Sequence, residues 1–169
     1  MTMYTRLMAT AFLFNDDKIL LMRRSADRKL APGLWTGVGG HIEPEEMNNP
    51  ELACTREVYE ETGIEREHIK DLELRYILLR QKGTEVREQF VYFGKTLKQE
   101  LEQTEEGELH WIESDLVKTL EMPMIINEML NHYFKFGFKN DEKYIGILTT
   151  KTDTKPEMIF TPLKDPITV

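Results

Sequence analysis

The period of the hydrophobic pattern changes several times along the chain. Residues 3–14 are rich in apolar and β-branched side chains and predict a strand. Asn15-Asp16-Asp17 predicts a turn and residues 18–22 a second strand, so the chain opens on a hairpin. Residues 23–33 are polar and end in Pro32-Gly33, which reads as a loop, and residues 35–39 form a short strand running into Gly39-Gly40. A helix follows, with Asn49 as N-cap, Pro50 in its first turn and Gly63 as its stop. Residues 72–79 and 89–96 predict two more strands about a turn at 81–85, and residues 108–112 another short one. Residues 113–120 and 124–136 read as helices. Residues 144–149 and 158–161 predict a C-terminal hairpin about Thr152-Asp153-Thr154-Lys155-Pro156, expected to cover a sheet edge or a dimer surface rather than to act as a lid. Interleaved strands and helices predict an α/β fold with helices packed on a mixed sheet.

Composition narrows the class. The 169 residues suit a single domain, 1–169, with a C-terminal extension from about residue 142. No apolar run approaches a membrane span and the start has no basic-then-apolar pattern, so a cytoplasmic protein without a membrane partner is expected. The net charge of −8 argues against a surface built for nucleic-acid polymers, though not against a small nucleotide. The single cysteine, Cys54, can form no internal disulfide, suits a reducing cytosol and reads as a small core residue. Monomer and homodimer are both compatible with the chain.

The chemistry is concentrated in the predicted helix. Glu57, Glu60 and Glu61 stand at i, i+3 and i+4 and share one face. Arg56 lies four residues before Glu60 and can pair with it, which leaves Glu57 and Glu61 without a cation on the helix. Carboxylate oxygens in that arrangement suit Mg²⁺ or Mn²⁺. A solvated acidic face is the ordinary reading of such a run. The flanking glycines and the cap residues make this run different.

The segment from Gly40 to Ile64 resembles the signature of the Nudix hydrolases, G-x5-E-x7-R-E-U-x-E-E-x-G-U, with U aliphatic. Gly40, Glu46, Arg56, Glu57, Val58, Glu60, Glu61, Gly63 and Ile64 fill its fixed positions. Nine residues separate Glu46 from Arg56 where the pattern has seven, and the extra pair falls near Met47-Asn48-Asn49, in the loop before the helix. The resemblance implies an α/β/α sandwich. It also implies a metal site made of Glu57, Glu60, Glu61 and the carbonyl of Gly39, with Arg56 orienting the glutamates. A later acidic loop often completes that family's site; residues 103–108 hold it here, and Glu105 is the first choice, with Glu106 behind it. Glu57 and Glu105 are the two candidate bases for activating water. Arg24, in Arg23-Arg24-Ser25-Ala26-Asp27, matches the arginine that touches substrate in the nucleotide-cleaning branch. Glu121, before Pro123, occupies the place where the enzyme that removes oxidised dGTP has a purine-reading Asn. Trp35 and Phe90 could each stack on a base or belong to the core.

The implied activity is hydrolysis of a nucleoside diphosphate linked to another group. The leading substrate is a nucleoside triphosphate, oxidised purines such as 8-oxo-dGTP included, cleaved to monophosphate and pyrophosphate. ADP-ribose or a nucleotide sugar is the second reading. A ligand sensor without turnover is the third, and the full set of box glutamates argues against it. The histidines, His41, His68, His110 and His132, are scattered and none reads as base or nucleophile.

Overall fold

The opening turn is as short as a hairpin permits. Asp16 takes a left-handed conformation (φ 52°), which Asp tolerates, and Asn15 pairs with Lys18. The turn joins β1 (Tyr4–Asn15) to β2 (Lys18–Arg24) in the computed structural model, which describes residues 1–27, 29, 31–151 and 154–166. β1 is the hub of the sheet. It runs parallel to β6 (Glu85–Thr96) along its whole length, from Tyr4 opposite Glu85 to Phe14 opposite Lys95. On its other side it pairs with β2 at one end and, antiparallel from Met8 to Ala11, with β4 (Val38–His41) at the other.

The remaining strands extend outward. β3 (Trp35–Thr36) and β7 (Gly107–Glu113) both pair with β2, and β5 (Ile69–Lys82) forms a hairpin with β6. β8 (Lys143–Thr150) lies parallel to β5, and β9 (Pro156–Leu163) turns back along β8. The C-terminal hairpin therefore covers the β5 edge, as its sequence suggests. The Thr152 and Asp153 of its expected turn lie outside the described residues.

Alternation along β1 builds two cores. Ala9, Ala11 and Leu13 face one side and pack with Ala53, Cys54 and Val58 of α1 (Pro50–Thr62). Phe12 faces the other side and packs with Phe93, Tyr76 and Met129, the last on α2 (Met124–Lys135). The result is helix, sheet, helix in three layers. Cys54 is fully buried, and burial pushes its thiol well above the usual range. Trp35 packs against the α2-side core and Phe90 against the α1-side core, so both belong to the packing. Residues 114–119 form a 3₁₀ helix rather than the α-helix expected at 113–120. The stretch is only six residues long and the chain is extended again at Leu120, leaving no room for α-helical bonds to propagate.

Candidate active site

The helix that carries the acids begins and ends where its caps dictate. The Asn49 side chain accepts from the Leu52 N–H at 3.4 Å, Pro50 opens the first turn, and Gly63 closes the helix at φ 75° with its N–H on the Tyr59 carbonyl. Met47 and Asn48 form a turn between the 3₁₀ segment Pro44–Glu46 and Asn49. The two additional residues therefore lie in the loop, and the helix from Pro50 to Thr62 is unbroken.

Arg56 is the organising cation. Its Nε donates to Glu46 Oε1 at 2.7 Å and its Nη2 to Glu46 Oε2 at 2.9 Å, a fork-to-carboxylate pair. Its Nη1 donates to Glu57 Oε1 at 2.9 Å and to Glu60 Oε2 at 3.1 Å, and Nη2 also reaches the His41 carbonyl at 2.9 Å. Glu60, the partner expected from the i, i+4 spacing, is thus one of three, and Glu46 holds the strongest geometry. Glu46 is buried. Its other tie is to its own turn, where Oε2 accepts from the Glu43 N–H at 3.0 Å, and Arg56 holds its carboxyl below the usual range.

Glu61 points to the sheet instead. It is buried, and its Oε2 accepts from the Gly39 N–H at 2.9 Å. It is also hydrogen-bonded to Glu106, and burial together with that second acid pushes it up to about 9. Burial likewise raises Glu57, against the pull of Arg56. The two glycines are bare for different reasons. A Cβ on Gly39 would collide with the Ala9 carbonyl oxygen across the β1–β4 pairing, and one on Gly40 would lie 2.5 Å from the Glu57 carboxylate.

These groups open onto a cleft of about 820 Å³. Gly39, Gly40, Arg56, Glu57, Glu60 and Glu106 form one end; Met8, Gln89 and Leu78 form the floor; Pro123 and Ile125, at the start of α2, form a wall. A family model described as the NUDIX domain matches residues 4–133. The chain belongs to the NUDIX family.

A mutator MutT protein from Bacillus halodurans superposes with a TM-score of 0.71 at 22% identity, covering 92% of this chain and 97% of that one. A MutT protein from Methanosarcina mazei Go1 gives 0.69 at 21%, covering 81% and 98%. At that identity the likeness is one of fold. Among curated proteins, the m7GpppN-mRNA hydrolase NUDT17 of Bos taurus is 40% identical over 52 residues; that match covers 30% of this chain and 16% of the relative's length.

The NUDIX framework sorts the other predicted residues. Arg24 ends β2 and lines the cleft, while the adjacent Arg23 is exposed, as opposite-facing strand neighbours must be. In the later acidic loop, Glu106 lines the cleft. The Glu105 side chain is exposed, and Glu105 meets its neighbours through its carbonyl, which accepts from the Ser25 hydroxyl at 3.2 Å. The pairing of Arg24 with Gly107 fixes which of the two acids turns inward. Glu121 is exposed and does not line the cleft; its carbonyl accepts from the Trp35 N–H at 2.9 Å. Of the histidines, His41 lines the cleft and His132 sits against the Tyr76 hydroxyl at 2.9 Å.

Among the cleft residues that sequence reasoning did not single out are Arg80 on β5 and Arg87 on β6. The signal was present: a turn at Gly83-Thr84 pairs Lys82 with Glu85 and, two steps back, Arg80 with Arg87.

The donor set suits a hard divalent cation. Glu57, Glu60, Glu61 and Glu106 offer only carboxylate oxygens and outnumber the single Arg56 among them, and the neutral form that burial and Glu106 favour at Glu61 marks a local excess of negative charge. Their ligand atoms do not converge as a trio, because Arg56 draws Glu57 and Glu60 aside while Glu61 turns to Gly39. Among the described residues, Glu65, Glu67 and His68 bring three such atoms within 4.8 Å. They lie just past α1, outside the cleft, and the two glutamates are exposed. No helix of the described residues is long and apolar enough to cross a membrane.

Proposed function

We propose that this protein is a metal-dependent pyrophosphohydrolase that cleaves nucleoside diphosphates linked to another group. Family membership supports the reaction class, and the observation that carries it here is the Arg56 clamp on Glu46, Glu57 and Glu60 together with the Glu61–Glu106 pair, with Arg56, Glu57, Glu60 and Glu106 lining one cleft. The preferred substrate is a nucleoside triphosphate, oxidised purine forms included, giving monophosphate and pyrophosphate.

In this reading Glu57, Glu61, Glu106 and the carbonyl of Gly39 hold Mg²⁺ or Mn²⁺, with Glu60 able to join from its exposed position. Such an ion neutralises the diphosphate and lowers the pKa of a nearby water. Glu57 takes the proton from the attacking water, and Glu106, rather than Glu105, is the second acid available for that task. Arg56 is a positioning residue: fastened to Glu46, it presents Glu57 and Glu60 at fixed angles. Arg24 reaches the substrate from the β2 side. Glu121 is not assigned a contact with the base, because its side chain lies away from the cleft. ADP-ribose or a nucleotide sugar is the second reading, favoured by the reach of the cleft from Glu57 to Arg80 on β5. A cytoplasmic setting agrees with the single buried thiol.

The test is a nucleotide panel with Mg²⁺ or Mn²⁺, scored for phosphate and pyrophosphate release. Turnover that chelator abolishes is expected. A panel that binds without turnover would replace the hydrolase with a ligand sensor.

A further inference from the structure

The wall of the cleft farthest from the glycines has no part in the chemistry above, yet it is cationic. The β5–β6 register sets Arg80 directly opposite Arg87, and both line the cleft. Like charges directly opposed on paired strands repel each other. Arg87 is buried and ion-paired with Glu85, but Glu85 also accepts from Arg6 at 2.9 Å. Arg80 is half-buried and, among the described residues, has no ion-pair partner. Arg6 and Arg87 thus share one carboxylate, and Arg80 stands opposite Arg87 with none. Burial and the neighbouring Arg87 both work against the charge on Arg80. Removing cationic groups from water without a counterion is costly, and a guanidinium fork matches phosphate oxygens two at a time.

Position decides which phosphate. β4 is separated from β6 by β1, and from β5 by β1 and β6. The arginine pair therefore starts two to three strand spacings from the glycine strand, roughly 10–14 Å. That is too far for the second phosphate of the diphosphate held at Glu57, and it suits the opposite end of a nucleoside.

Resting on the hydrolase reading above, we propose that Arg80 and Arg87 form a subsite for a further phosphate carried by the substrate, at the far side of its nucleoside from the diphosphate that is cleaved. The substrate class this selects is a nucleotide with an additional phosphate on its non-reacting end. Arg87, pinned by Glu85, sets the position of the group. Arg80 supplies the unshared fork.

The probes are adenosine 5′-monophosphate and adenosine 3′,5′-bisphosphate, titrated calorimetrically into the full chain with Mg²⁺ present. The bisphosphate should bind the parent at least about tenfold more tightly, the order of effect of a hydrogen bond between charged groups. In Arg80→Gln the ratio should fall to about one. Arg80→Lys, which keeps the charge and loses the fork, should retain an intermediate ratio and guards against a variant that fails to fold. Equal affinities in the parent, or a preference that survives in Arg80→Gln, would overturn the subsite. The two proposals fail separately. Nucleotide turnover without a bisphosphate preference removes the subsite and keeps the hydrolase. An Arg80-dependent preference without turnover of any nucleotide keeps the subsite and removes the hydrolase.

Discussion

Adjacent glycines in the box should fail in different ways when each is given a methyl group. The nearest atoms a Cβ on Gly40 would meet are those of the Glu57 carboxylate, its carbon and both oxygens at 2.5 Å. The side chain must retreat by about 0.9 Å to reach the 3.4 Å at which ordinary contact begins. A misplacement near 1 Å at a reacting group can cost on the order of a hundredfold in rate. Stability should hardly change. Glu57 is the flexible partner, Gly40 is not in the left-handed region, and Gly→Ala at a compatible position contributes roughly 0.4–1 kcal/mol through the unfolded chain. Gly39→Ala instead drives a methyl group into backbone, at the Ala9 carbonyl, and must break the β1–β4 pairing. Its cost should be about 3 kcal/mol or more, or a drop of at least about 6–12 °C in Tm for a chain of this size. Thermal melts and kcat on the fastest nucleotide of the panel are read together. Gly40→Ala should keep its Tm within about 3 °C and lose about a hundredfold in kcat. A Gly40→Ala protein that turns over within threefold of the parent would refute the claim that this glycine exists to admit Glu57. One that melts like Gly39→Ala would show the effect to be structural.

Three further outcomes are expected. Glu57→Gln keeps the shape and removes the charge, and should lower turnover at least about a hundredfold, with activity within a few-fold of the parent sinking its role. Glu106→Gln should cut turnover by about tenfold or more while Glu105→Gln leaves it near the parent value; the reverse order would return the role to Glu105. Because burial raises the Cys54 thiol, it stays protonated at pH 8, and iodoacetamide should label it only after urea is added; rapid labelling of the folded protein would contradict the packing of α1.

Local signals were legible in the sequence, and through-space ones were not. Asn49, Pro50 and Gly63 act within a few residues of themselves, so the helix limits and the harmless loop insertion could be read directly. The pairing of Glu46 with Arg56 was not legible, because it depends on a 3₁₀ turn folding back toward Arg56. Glu105 and Glu106 differ by one step along the chain and by opposite directions in space, and only the pairing of the next residue with β2 separates them. Glu121 has the right place in the order of residues, but its carbonyl is taken by Trp35 and its side chain turns outward. Arg80 and Arg87 are seven positions apart in sequence, and become neighbours only once the hairpin register is known.

The hub position of β1 has a consequence for how the protein comes into being. Its parallel partner β6 begins at Glu85, opposite Tyr4, so the longest pairing of the first strand waits for a segment some eighty residues downstream. Closing a loop of that length costs entropy before any contact offsets it. The glycine strand hangs on the same β1, and the cleft floor is made by Met8 of β1 together with Gln89 of β6. During synthesis the acidic helix and the β1 and β4 strands it packs on are therefore complete well before the cleft has a floor, which forms only after residue 96 has left the ribosome and docked.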